Sequence, residues 1–270
     1  MSSGNGHPLR AEWRKTTTTK LPWVLAAIAI AYSAMQAVLL IVLAAPGVMS
    51  GLTQDPGSQD MLMSKDYLGA ALAQVGTAAT FTLLLGIVAM TGEYRHMTIT
   101  STFLAYPRRS GVLLTKMALY AAIGAALALV TLVVVTVAML VALVPFDHAA
   151  LTADMWLSVL LGSVIGLVLF GVLGVSIGAL IPNQVAAIVT ALLWMLLLEP
   201  VISLAFPKVG MWLPQQALNA AMDVGVRSEF SGQFVAADNL PVWGGILLLL
   251  GYAAVLGAIA SRTTLSRDIT

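Results

Sequence analysis

Glu93, Arg95 and His96 stand within four residues of one another in "TGEYRHMTITSTFLAYPRRS", residues 91–110, and Arg108 and Arg109 close the same stretch. A carboxylate, a guanidinium and an imidazole in such proximity can pair ions, move a proton or help to hold a metal. The remaining sequence narrows that choice. The three histidines, His7, His96 and His148, are far apart and show no H-E-x-x-H spacing, so a metal site is not expected. There is no G-x-S-x-G elbow to expose a nucleophilic serine. The chain has no cysteine, which excludes thiolate catalysis, disulfides and Cys-based metal sites. A phosphate loop of the form G-x-x-x-x-G-K-[ST] is also missing: "SGVLLTKM" has one glycine and a lysine, but no second glycine and no hydroxyl after the lysine. No catalytic residue is expected in this chain, and the polar stretch is left with binding chemistry.

The elements that position this stretch are hydrophobic. Of the 270 residues 59% are hydrophobic and 9% charged, with a mean hydropathy of +0.94. A soluble domain carries roughly 25% charged residues. The composition therefore gives an integral membrane protein, all-α, because each backbone polar group in lipid must be satisfied within its own helix. About 20 apolar residues cross the hydrocarbon core. Six segments fit: Leu21–Ala45, Tyr67–Thr91, Met117–Val144, Met155–Ile181, Val185–Leu198 and Pro241–Ala260. Residues 1–20 are set apart as a polar segment, and residues 21–270 form one six-helix membrane domain.

An even number of spans places both termini on one side. That side holds ten basic residues, among them Arg10, Arg14, Lys15, Lys20, Arg95, Arg108, Arg109 and Lys116, whereas the other holds Lys65, Lys208 and Arg227. The excess marks the first side as cytoplasmic, in a multi-pass protein of the cytoplasmic (inner) membrane. The net charge of +1 is dispersed and points to no nucleic acid. Leu9 and Trp13, four residues apart among basic neighbours, suit a helix lying on the inner membrane surface; four threonines weaken its end.

Within the polar loop, Gly92 and Pro107 set the limits of a short helix. Ile99, Phe103 and Tyr106 recur at i, i+4, i+7 and give it one apolar stripe. Arg108, Arg109 and Lys116 lie at its exit, where they can meet lipid phosphates. The bland reading is an inner loop whose arginines obey the charge rule. The sharper one is a helix that docks into a partner's groove and passes motion to the second and third spans.

The stretch "GEYRHMTITSTFLAYPRRSGVLLTK" resembles the first intracellular loop of ABC-2-type transporter permeases, whose G-E-x-R-x-x-T-I pattern follows the second span. Gly92, Glu93, Arg95, Thr98 and Ile99 match its first part; Pro107, Arg108, Arg109 and Lys116 match the proline and basic residues before the third span. "LWMLLLEP", residues 193–200, is similar to that family's fifth span, and Met97 departs from the small residue many relatives carry. The resemblance implies a type V-like membrane domain: an interfacial helix, six spans, and an outer re-entrant segment, here residues 199–240, between the fifth and sixth. It also implies an export permease that pairs with a second permease copy, in a homodimer or heterodimer, and with separate ATPase subunits. ATP and Mg would be bound there, with no cofactor in this chain. The coupling loop would be residues 92–115, with Glu93, Arg95, Thr98, Ile99, Phe103, Tyr106, Arg108 and Arg109 as its contact residues.

Polar residues within the spans complete the reading. Gln36 and Gln74 need partners in lipid; they can bond each other or line a substrate path. Gly162, Gly166, Gly171, Gly174 and Gly178 give the fourth span small faces, for packing within the chain or in a dimer. The fifth span is short: from Val185 to Glu199 a helix rises roughly 21 Å at 1.5 Å per residue. The helix is therefore expected to break near Glu199 and Pro200, with Glu199 holding an outer cap through backbone amides or a basic partner, or acting directly in substrate release or proton exchange. A stand-alone secondary transporter, or a membrane subunit with a regulatory role and no transport path, are the alternatives. The former should show intramembrane ionisable groups and internal repeats; Glu199 is the one candidate group, and no repeat is visible.

Overall fold

The structure is a computed structural model and describes residues 8–45, 48, 62–95, 109–223 and 240–263. All regular structure among them is helical. A first helix, α1 (Pro8–Thr18), leads through Thr19 into α2 (Lys20–Leu43). The second long element is built from α3 (Lys65–Leu72), a 3-10 stretch over Ala73–Thr77, and α4 (Ala78–Arg95). Then follow α5 (Arg109–Leu143) and α6 (Ala153–Leu180). The next element is α7 (Gln184–Leu193), a π turn over Trp194–Leu198, and α8 (Glu199–Ala205). Two short helices, α9 (Pro207–Gly210) and α10 (Pro214–Ala221), precede α11 (Val242–Thr263). Six of these elements are long and apolar enough to cross a membrane. The chain is a multi-pass membrane protein on that ground.

The centre of the bundle is α6, packed against α4, α5, α10 and α11. The apolar windows of Lys65–Arg95 and Ala153–Leu180 are 78% and 61% buried inside the molecule, against 33% or less for the other four. Glycine explains why these two can be central. A Cβ on Gly174 would come within 2.1 Å of the Leu83 carbonyl oxygen, and one on Gly171 within 2.6 Å of the Tyr120 carbonyl oxygen. The fourth span's glycines thus seat the backbones of α4 and α5 within one chain. The outer four spans show Leu39, Val133, Val141, Leu196, Leu204 and Leu247 outward, the surface a hydrocarbon solvent requires.

The structure differs from the sequence reading in the fifth span. The helix does not break at Glu199 and Pro200 but runs on to Ala205. The π turn is the physical reason. The Glu199 N–H donates to the Trp194 carbonyl, five residues back, so the turn ahead of the proline is wide. A wide turn moves aside the carbonyls the ring would strike, and Pro200 falls in the first turn of α8, where a missing N–H leaves little unpaired. The break comes at Phe206, and α9 and α10 follow. Residues 216–221 of α10 are buried because two glycines admit the helix: a Cβ on Gly162 would meet the Ala221 carbonyl oxygen at 2.4 Å, and one on Gly245 the Ala217 carbonyl oxygen at 2.4 Å. Gly162 lies nine residues into α6, about 14 Å down its axis, so α10 is wedged well inside the end of the bundle.

Helix α1 runs through its threonines. The hydroxyls of Thr16, Thr17 and Thr18 donate to the carbonyls four residues back, at 3.0, 3.0 and 2.7 Å, which keeps the helical path while meeting each side chain's polar demand.

Candidate functional site

Where α1 crosses the ends of α4 and α5, four charged side chains converge. Lys116, 2% exposed, donates to Glu12 Oε2 at 2.6 Å and lies 3.0 Å from Glu93 Oε1. Lys15 donates to Glu12 Oε1 at 2.9 Å and to Glu93 Oε1 at 3.0 Å. Glu12 and Glu93 are 7% and 5% exposed. Two cations and two carboxylates thus alternate in a closed ring that takes one pair from α1, one residue from the end of α4 and one from the first turns of α5. Charge balance and four short contacts offset the burial of Glu12, Glu93 and Lys116, while Lys15 is half exposed and Glu93 Oε2 has no hydrogen-bond partner among the described residues. The Thr16 hydroxyl adds a contact to the Tyr120 hydroxyl at 3.4 Å.

The electrostatics follow from the ring. Burial alone would raise the Glu12 carboxyl, but Lys116 and Lys15 outweigh it and hold the group below its ordinary value. Burial alone would lower Lys15, but Glu12 and Glu93 outweigh it and hold the ammonium above its ordinary value. Both shifts favour the charged forms.

One residue on from the ring, Arg95 donates from Nη1 to Gln184 Oε1 at 3.2 Å, across to the start of α7. The Asn183 side chain caps that start by accepting from the Ala186 N–H at 3.1 Å. Glu93 and Arg95 are thus joined through their side chains to α1, α5 and α7. Thr98, Ile99, Phe103, Tyr106 and Arg108, and the short loop helix they were read to form, lie outside the described residues. Arg109 opens α5.

Lys116 requires a correction. It does not reach lipid phosphates, because it points inward to Glu12 and Glu93. Neither Glu12 nor Lys15 is among the site residues expected from the sequence. The available signal was a lone acid in a basic segment, three residues before a lysine on the same helix.

A second polar feature lies among α2, α4, α7, α8 and α10: a cavity of about 500 Å³. Tyr32 and Gln36 of α2, Phe81 of α4, Glu199, and Gln215 and Asn219 of α10 are among its lining residues. Glu199 is 1% exposed and accepts a hydrogen bond from the Gln215 N–H through Oε1, with the Gln216 amide and the Trp194 side chain also beside the carboxylate. Its Oε2 makes no hydrogen bond among the described residues. Glu199 therefore touches the segment beyond the fifth span even though the helix is unbroken at that point. Gln36 is at the cavity wall, whereas Gln74 is folded into the core, where its Nε2 donates to the Ala70 carbonyl at 3.3 Å. Among the described residues no three His, Asp or Glu side chains are grouped to hold a metal.

No protein-family model matches the chain, and no curated protein is similar to it in sequence.

Proposed function

We propose that the chain is the permease subunit of an ATP-driven export system, an ABC-2-type membrane domain that works with a separate ATPase and a second permease copy. The observation that carries this reading is the ring of Glu12, Lys15, Glu93 and Lys116. It joins the last turn before the loop and the first turns after it to one interfacial helix, and Arg95 adds the start of α7. A push on the loop from the cytoplasm would then move four elements as a block. The G-E-x-R-x-x-T-I resemblance lies at this place in the chain. ATP and Mg belong to the partner in this reading, both termini and the loop face the cytoplasm, and α10 forms a re-entrant outer cap.

The test is reconstitution with the ATPase partner. Glu93→Ala is expected to leave the complex assembled or only weakened, but to disconnect ATP hydrolysis from transport. Phe103→Ala is expected to loosen ATPase binding, because buried aromatic anchors dominate interface energetics. Wild-type transport by both variants at normal expression would remove the coupling role. Glu199, an ionisable group buried within a span, favours a second reading, a stand-alone secondary transporter. Transport that follows an imposed ion gradient without any ATPase would establish it instead.

A further inference from the structure

The Glu199 carboxylate is divided between two tasks. Oε1 accepts from the Gln215 N–H and so ties α8 to the start of α10. Oε2 is buried, makes no hydrogen bond among the described residues, and belongs to a residue that lines the cavity. Donors stand at the carboxylate, the Gln215 and Gln216 amides and the Trp194 side chain, but a buried carboxylate without a counter-charge is costly, and the cost falls when a positive charge is brought to it. The cavity wall supplies no such charge: no Lys, Arg or His is among its described lining residues. It offers instead the amides of Gln36, Gln215, Gln216 and Asn219 on one hand, and Leu84, Leu192, Met195 and Leu196 on the other. Tyr32 and Phe81 add two rings, with centroids 6.0 Å apart and planes inclined by 58°, whose faces attract cations. The volume of about 500 Å³ falls within the ~300–1,000 Å³ typical of small-molecule sites.

We propose that this cavity binds an amphiphilic organic cation, with Glu199 as its counter-ion, the Tyr32 and Phe81 rings against its charged end, and the leucine and methionine side chains around its apolar body. An anion of the same shape would meet the carboxylate without compensation. A neutral polar molecule, or water, would satisfy a lone pair but leave the charge alone. Calling this cation a substrate rests on the export reading; binding it is a property of this chain by itself.

The probes are tetraphenylphosphonium and tetraphenylborate, matched in shape and opposite in charge, applied to the purified full chain in nanodiscs of phosphatidylcholine without any ATPase. Saturable binding of the phosphonium is expected, weakened about tenfold or more in Glu199→Gln, with no saturable binding of the borate. A second measurement does not depend on the Glu199 variant folding. The chain lacks cysteine, so Thr80→Cys on the cavity wall gives one thiol. N-ethylmaleimide should label it, and the phosphonium, not the borate, should protect it. Equal protection by both ions, protection by neither, or a thiol that never reacts because lipid or a second copy fills the space, would each overturn the proposal. So would a folded Glu199→Gln that binds the phosphonium as the wild type does. Binding that persists while no ATPase ever couples to the chain would keep the site and remove the export reading; coupled export with no phosphonium binding would do the reverse.

Discussion

Lys116 enters two turns after the start of α5 and serves two carboxylates, Glu12 and Glu93. Replacing it by methionine leaves those carboxylates buried with Lys15 alone. Lys116→Met is therefore expected to cost about 3–5 kcal/mol, since removing one partner of a buried ion group strands the others. Thermal unfolding in detergent at neutral pH measures it, and adding Glu12→Gln and Glu93→Gln should return most of the loss. The pH response follows from the two shifts. Glu12 is held low, so its contribution is complete above its ordinary value of 4.5 and is lost as pH falls through the depressed one. Lys15 is held high, so its contribution is complete below its ordinary 10.5 and is lost as pH rises through the raised one. Spin labels at Arg14→Cys and Gly111→Cys should report one narrow distance between about pH 5 and 9 that broadens below about pH 4. Glu93 was legible in the sequence because its neighbours form a pattern. Its partners were not, because Glu12 and Lys116 are 104 residues apart and nothing local links them.

At the scale of elements, the close approach of α4 and α6 rests on glycine. Gly174→Ala puts a methyl group into the Leu83 backbone, and α4 cannot yield without leaving its other contacts. A loss of about 1–3 kcal/mol is expected, the usual effect of overpacking. Gly251→Ala in α11 is the control: nothing lies within 4 Å of the added carbon, and removing glycine from a helix should gain up to about 1 kcal/mol. Detergent melting curves of the two variants should move in opposite directions. The spans themselves were legible because lipid demands long apolar runs, and α5 was clear for want of charge in its middle. Two features were hidden. The π turn over Trp194–Leu198 carried the fifth helix past a proline that ordinarily ends one. The 3-10 stretch over Ala73–Thr77, tied to α2 by the 2.8 Å contact between Ser33 and Thr77 hydroxyls, has a sequence that reads as ordinary helix.

For the whole molecule, the ten-to-three division of basic residues leads us to propose that both termini and the loop face the cytoplasm. A single cysteine at Ser110 is expected to escape an impermeant thiol reagent in intact cells, and one at Ser58 to be labelled. The opposite result would invert the molecule in the membrane and remove the loop from any cytoplasmic ATPase. The central place of α6 carries a further consequence, for the order of synthesis. Residues 1–152 leave the ribosome before α6 does, and chains fold from the N-terminus as they emerge. The ionic ring closes within that first part, since Glu12, Lys15, Glu93 and Lys116 all belong to it. The glycine-seated face of α4 has no counterpart until the fourth span arrives. A nascent chain thus holds every partner needed to fasten one end early, while the face of α4 stays unfilled until α6 arrives.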